Sequence, residues 1–177
     1  MTVNEFLILS KVAPVEEVKE QIERLRKPYS VCKVKTPDTL NDITMGQLIA
    51  LQSISDTVSL IYVPCEVLLG LGKENIHNAD AEKVIGFSMW VVKEVERINS
   101  VFATTNTKPT PEEIKAGSES LNFGLFGLID YYATRMGITN HEQVERVPWV
   151  RVYKCLDMDA KRMNYQRRLQ KIIAEKR

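Results

Sequence analysis

The sequence predicts an all-α, or strongly α-dominated, protein: a compact bundle of six to eight helices that ends in a long basic helix. Apolar residues recur at intervals of three and four along most of the 177 residues, as they do on the buried face of a helix. Capping boxes and prolines at first helical positions precede several of these segments. We predict one domain, with a helical body over residues 1–147 and a C-terminal helix over 148–177, packed on the body or extending from it.

The N-terminal region holds two predicted helices and the only segment that alternates like a β-strand. Thr2 begins a capping box with the glutamate three residues later. Pro14 is placed to begin a second helix, which ends before Pro28. Residues 29–35 are predicted to form one short strand or an extended connector, and residues 36–38 end it as a turn.

Two further helices are predicted before residue 70. Thr44 begins a second capping box and a helix that runs to about residue 55. Asp56, or the serine before it, caps the next helix, which a pair of glycines ends. Because Pro64 lacks a backbone donor, we expect a kink or a break just before it.

The longest central pattern begins at Asn78 or Asp80 and advances in steps of 4, 3, 4, 3 and 4. Its members are Val84, Ser88, Val91, Val95, Ile98 and Phe102. Fewer than three full heptads are present, so the pattern predicts a bundle helix rather than a coiled coil. A polar loop follows at residues 104–109.

Four helices are predicted after this loop. Their expected starts are Thr110 with Pro111, Ser118 or Ser120, Thr139, and Pro148. Gly137 stands where the second of these helices should end. The aromatic residues Phe123, Phe126 and Trp149 have helical spacings and are predicted to lie in the core.

The last helix has one apolar line that should pack on the rest of the protein. It consists of Trp149, Val152, Leu156, Ala160 and Met163. The sequence suggests that Leu169, Ile172 and Ile173 resume this line, on a second half of the helix that could extend beyond the body.

The composition is that of a folded protein from a reducing compartment. Hydrophobic residues make up 44% and charged residues 27% of the chain, which excludes a disordered protein. The apolar stretches are too short to cross a bilayer, and the N-terminus lacks the features of a signal peptide. Cys32, Cys65 and Cys155 are odd in number and widely spaced, which favours inert thiols over disulfides. We therefore expect synthesis in the cytoplasm.

The residue patterns do not indicate catalysis, a metal or a cofactor, so we expect a non-enzymatic protein that needs none. Residues 70–73 resemble part of a phosphate loop, but the first glycine and the final hydroxyl of that motif are absent. His77 and His141 are not at zinc-ligand spacings and lack a recognisable nucleophile motif. Asp157 and Asp159 are two residues apart on a helix and therefore point to different faces.

The strongest functional signal is the charge of the last helix. Residues 161–177 carry seven Lys or Arg and one Glu, a net charge of +6, in a chain whose net charge is only +1. Three interpretations are open: a solvated helix end whose cations offset the helix dipole, contact with nucleic acid, or docking of an acidic protein partner. The residues predicted to bind a partner are Lys161, Arg162, Arg167, Arg168, Leu169, Lys171 and Ile172.

Two parts of the chain carry a resemblance to known proteins. One is LNDITMGQLIALQ at residues 40–52, and the other runs from GIT at 137–139 through VPW at 147–149 to YQRR at 165–168. Together they resemble small helical accessory proteins of tailed bacteriophages, a group that includes tail-assembly chaperones and head or portal-vertex auxiliary proteins. The resemblance implies a virion structural protein at or near the portal vertex, made in the host cytoplasm and bound in many copies to portal, capsid or tail proteins.

Two alternatives to this function stay open. The first is a tail-assembly chaperone, which belongs to the same group of phage proteins. The second, from another class, is a small helical nucleic-acid-binding protein, because the basic helix is compatible with phosphate contacts. It is less favoured, since Tyr165 is the only aromatic residue among residues 161–177 and no recognition motif is present.

Overall fold

The computed structural model describes residues 1–11, 14–121 and 123–175, without the side chains of residues 15, 17, 23 and 119. Within them it contains ten α-helices, one short 3-10 helix and one two-stranded hairpin. The predicted α-dominated fold class is confirmed. There are more helices than the predicted six to eight. Three of them, α5, α7 and α9, are only five residues long, and of these α5 had no predicted start.

The chain divides into two compact units. The first comprises Met1–Leu40 and Gln47–Arg97, and the second comprises Asn41–Gly46 and the described residues from Ile98 onward. Elements of the first unit are α1 (Val3–Leu9), α2 (Val15–Arg24), β1 (Ser30–Val31), β2 (Val34–Lys35), α4 (Thr57–Leu69) and α5 (Lys73–His77). Elements of the second are α7 (Pro111–Lys115), the 3-10 helix (Ser118–Ser120), α8 (Gly124–Met136), α9 (His141–Glu145) and α10 (Trp149–Glu175). Two helices, α3 (Met45–Gln52) and α6 (Ala81–Ala103), contribute residues to both units.

The helix starts of the first unit follow the predicted caps. The Thr2 hydroxyl accepts from the backbone N–H of Glu5 at 3.2 Å, and the Glu5 carboxylate accepts from the Thr2 N–H at 2.8 Å. Asp56 caps α4 by accepting from the N–H of Ser59 at 2.9 Å. However, α4 continues through Pro64, so the break expected before this proline is wrong, and the helix ends at Gly70, whose φ of 65° is left-handed.

The segment around residues 29–35 is a hairpin rather than the single strand predicted from its alternation. Strands β1 and β2 pair antiparallel, with Val31 opposite Val34. The two residues between them, Cys32 and Lys33, both have positive φ values of 46° and 67°, as a two-residue hairpin turn requires. Thr36 closes the base of the hairpin, since its hydroxyl donates to the carbonyl of Pro28 at 2.6 Å.

The core of the first unit surrounds the first half of α6, where residues 84–88 are all buried. Its fully buried side chains include Val3, Val31, Leu40, Leu48, Ile76 and Phe87. The predicted line along α6 is confirmed at Val84, Ser88 and Val91, which are all buried. At Gly86, a Cβ atom would lie 2.5 Å from the backbone oxygen of Arg26, so the first unit packs another segment against the bare backbone of the helix.

Two helix starts in the second unit differ from the prediction. Helix α8 begins at Gly124 and not at Ser118 or Ser120, which lie in the 3-10 helix. Asn140, not Thr139, caps α9, because its side chain accepts from the N–H of Glu142 at 2.9 Å. The capping box at Thr110 is confirmed, and Gly137 ends α8 as predicted.

Trp149 is the centre of an aromatic cluster in the second unit. Its exposed fraction is only 3%, and its ring centroid lies 5.7 Å from that of Phe102, which in turn contacts Tyr153 at 5.9 Å. The core prediction is therefore confirmed for Trp149. It is wrong for Phe123 and Phe126, which are 67% and 63% exposed, because the first precedes α8 and the second lies off the buried face of that helix.

Candidate functional site

Helix α10 has one face that packs within its unit. Trp149, Val152 and Ala160 are buried on this face. Further along, the hydroxyl of Thr107 donates to the sulfur of Met163 at 3.7 Å. Arg167 lies on the same face, because it follows Ala160 and Met163 by steps of three and four residues.

Arg167 holds α10 to α7 and to the loop before it. Its guanidinium donates to both carboxylate oxygens of Glu113 at 2.7 and 2.9 Å, and to the carbonyl of Lys108 at 2.8 Å. Glu113 also closes the capping box of α7, since it accepts from the N–H of Thr110 at 2.7 Å. The N–H of Thr110 and the Arg167 charge hold the pKa of Glu113 below its usual value. Such a bidentate pair fixes the geometry of both partners.

A second group of polar contacts ties α10 to α8. Asp159 accepts hydrogen bonds from the hydroxyl of Tyr131 and from the guanidinium of Arg135. These two donors hold the pKa of Asp159 below its usual value, while burial and the contact with Asp159 raise the pKa of Tyr131 to about 12. The two groups of contacts together set the rotation of α10 about its own axis.

Replacing Asp159 with asparagine should lower the stability of the protein at neutral pH and remove part of its acid sensitivity. Folding lowers the pKa of this carboxyl, so its charged form stabilises the protein at pH values above about 4, the ordinary pKa of an aspartate. The stabilisation is lost as the pH falls from that value through the lowered pKa of the folded state. The urea midpoints of the variant and the natural protein should therefore differ at pH 7 and converge below pH 4. Asp42→Asn, at an exposed aspartate of the same unit, is the control, and an equal difference at both pH values would contradict the assignment.

The opposite side of α10 is an exposed apolar stripe. Its members are Met158, Tyr165, Leu169, Ile172 and Ile173, with exposed fractions between 41% and 58%. Leu169 follows the buried Ala160 by nine residues, or two and a half turns of about 3.6 residues each, and so points the other way. The sequence reading that Leu169, Ile172 and Ile173 resume the buried line is therefore wrong. We call these five residues the exposed face of α10.

Cations line both edges of this face. Lys161 and Arg168 lie along one edge and Arg162 along the other, as their helical positions require. Lys161 pairs with Asp157 at 2.7 Å, and Arg162 lies 4.0 Å from Asp159. In both pairs the cation is exposed, at 75% and 66% of its side chain, whereas the carboxylates are only 28% and 31% exposed. Both cations are therefore accessible to a partner's carboxylates.

The structure brings together five of the seven residues predicted to bind a partner. Lys161, Arg162, Arg168, Leu169 and Ile172 lie on the exposed face or its edges. Arg167 instead pairs with Glu113 on the packed side, and Lys171, two residues beyond Leu169, is exposed but points away from the stripe. Lys176 and Arg177, which were counted in the basic charge, lie outside the described residues.

Sequence reasoning missed Met158 and Tyr165 as members of the face, and it left Ile173 out of the residues predicted to bind a partner. A signal was present, because Met158, Tyr165 and Ile172 follow one another at intervals of seven residues. It was obscured by the stronger apolar line that begins at Trp149.

The other residues considered for chemistry have structural partners. His77 bonds to the hydroxyl of Tyr62 at 3.1 Å, and His141 lies 3.5 Å from Asp130. Residues 70–72 connect α4 to α5, and Lys73 is the first residue of α5, so a helix stands where a phosphate loop needs a preceding strand. In the described part of the chain, no group of three or more metal-ligating side chains is placed to hold an ion, and no helix is long and apolar enough to cross a bilayer.

Comparison with known proteins gives no further guide to the site: no protein-family model matches the sequence, and no match was found among curated proteins or solved structures.

Proposed function

We propose that this protein is a non-enzymatic structural and assembly protein of a tailed bacteriophage particle, which binds another virion protein at or near the portal vertex. The observation that carries the binding role is the exposed face of α10, with its basic edges. The phage setting rests on the resemblance of residues 40–52 and 137–168 to phage accessory proteins. The proposal requires no cofactor, metal or membrane.

A protein partner explains this face better than a solvated helix end does. Cations near a helix C-terminus offset the helix dipole, but that effect gives no reason for a stripe of five large apolar side chains beside them. A contiguous apolar patch with a polar rim is typical of a surface that binds another protein. Multiple copies around a vertex would each present the same face to portal, capsid or tail subunits.

The test is the composition of purified particles of the source phage. Mass spectrometry should find the protein at a fixed ratio to the portal protein. The double variant Leu169→Asp and Ile172→Asp should lower its copy number at least about tenfold, the effect of losing about 1.4 kcal/mol of binding free energy. The control is the double variant Ile114→Asp and Leu121→Asp, which changes the same two residue types at exposed positions outside α10 and should leave the copy number unchanged.

Two results would support other functions. Absence from particles, with the protein present in infected-cell lysate, would contradict the proposal and favour the tail-assembly chaperone. Binding to duplex DNA that falls steeply with salt and is lost when Arg168 becomes glutamate would favour the nucleic-acid-binding protein.

A further inference from the structure

We infer that the segment which covers the exposed face of α10 is an amphipathic helix of another protein, with acidic residues along both of its edges. This inference deepens the proposed function and rests on its claim that α10 binds a protein. It concerns the chemistry of the partner, which can be tested without knowing the partner's name.

The spacing of the stripe favours a helical occupant. Met158, Tyr165, Leu169 and Ile172 advance by seven, four and three residues, which is the periodicity that one helix presents to another in a helix pair. At a rise of about 1.5 Å per residue, the 14 steps from Met158 to Ile172 extend the stripe over about 21 Å. A straight, narrow surface of this length fits the apolar side of one helix of about four turns.

The charges at the edges favour an acidic occupant. Lys161 and Arg168 are seven residues apart and so lie at equivalent positions along one edge, where a partner helix would place two residues of its own edge. Arg168 forms no ion pair with any residue that the structure describes. Carboxylates on the partner would therefore meet exposed cations, whether or not these already form an ion pair.

A second copy of this chain fits the same face poorly. Along the stripe, from Met158 to Ile173, Asp159 is the only acidic residue, and its carboxylate already accepts from Tyr131 and Arg135 within the unit. Two copies joined through the stripe would place Lys161, Arg162 and Arg168 near the same cations of the other copy, and like charges at these positions oppose pairing.

Nucleic acid also fits poorly, because the centre of the face is apolar. A phosphate backbone is bound by cations that lie in its path. Here the cations lie at the edges, while Tyr165, Leu169 and Ile172 occupy the middle. Burying these three side chains requires an apolar surface on the occupant.

The experiment uses the full-length protein and two synthetic helix-forming peptides of about 20 residues, long enough to cover the stripe. Both peptides carry the same leucines and isoleucines at heptad spacing, and one has Glu, the other Lys, at every edge position. Fluorescence anisotropy should show that the Glu peptide binds at least about tenfold more tightly than the Lys peptide. The L169D/I172D variant should lose this binding, whereas the I114D/L121D variant should keep it.

A charge reversal tests the edge assignment directly. The double variant Lys161→Glu and Arg168→Glu should reverse the preference, so that the Lys peptide binds more tightly than the Glu peptide. Circular dichroism of each variant confirms that the helices are retained, so a failure to fold is separated from a failure to bind.

Three results would overturn the inference. They are equal binding of the two peptides, tighter binding of a duplex oligonucleotide than of the Glu peptide, and stripe-dependent dimerisation of the protein in sedimentation. The particle assay keeps this inference separate from the proposed function. If the protein is absent from particles but binds the Glu peptide, only the phage proposal is refuted. If it is present in particles but does not bind the Glu peptide, only the inferred partner chemistry is refuted.

Discussion

Replacing Trp149 with alanine should lower the free energy of unfolding by about 3–5 kcal/mol, the range measured for large aromatic truncations in protein cores. The Trp149 ring is almost completely buried and contacts the rings of Phe102 and Tyr153. Its removal would leave a cavity at the start of α10 and end these ring contacts. The backbone N–H of Trp149, which donates to the carbonyl of Ile43 at 3.2 Å, would lose its rigid support.

Urea unfolding followed by circular dichroism at the helical band measures this loss. Phe123→Ala is the control, because it also removes an aromatic ring, but one that is mostly exposed, and the expected change is within about 0.5 kcal/mol. Equal effects of the two variants would show that the aromatic cluster does not stabilise the second unit as described.

Replacing Gly86 with alanine should destabilise the protein by about 1–2 kcal/mol, although alanine is the better helix former by about 1 kcal/mol. The reason is steric. A Cβ atom at this position would lie 2.5 Å from the carbonyl oxygen of Arg26, and a backbone atom cannot move aside without displacing its segment. Overpacking of this kind typically costs about 1–3 kcal/mol.

The same urea assay distinguishes this packing effect from helix propensity. Lys93→Ala, at an exposed position of the same helix, should leave the unfolding free energy nearly unchanged. If Gly86→Ala proved stabilising, propensity would dominate and the close approach of residue 26 to α6 would be wrong.

The sequence could predict the helix boundaries that depend on local chemistry. A Thr with a Glu three residues later satisfies two backbone donors within one turn, so the starts at Thr2 and Thr110 are determined by four residues each. The end at Gly70 is equally local, because the left-handed conformation favours glycine. The fold class follows from many such signals that agree.

Other features depend on distant packing or on unusual backbone conformations. The hairpin turn at Cys32 and Lys33 lacks the Gly, Asn or Asp that usually marks such turns, so its sequence resembles one strand. Gly124 takes a left-handed φ of 55° at the start of α8, which stops the helix from reaching back to Ser118 and leaves Phe123 outside. The backbone conformation at these positions is determined by packing within the folded unit and not by the local sequence.

The candidate site was predictable in content but not in arrangement. Net charge and neighbouring apolar residues indicated α10 as the candidate helix, and composition alone can do that. Which cations lie beside the stripe depends on the rotation of α10 about its axis. That rotation is set by contacts with Glu113 and Tyr131, which are far from α10 in the sequence. Arg167 was therefore grouped with the binding residues from sequence, although its contacts are internal.

The contacts of Asp159 and Arg167 attach only the first part of α10 to the rest of its unit. These two residues are eight positions apart, a little over two turns of about 3.6 residues. Together they fix the orientation of α10 up to Arg167. From Arg168 to Glu175 every side chain is exposed, so the last two described turns of the helix have no buried face. A partner would therefore meet Met158 and Tyr165 on the part of the helix that these contacts orient, and Leu169 and Ile172 beyond it, where every described side chain is exposed.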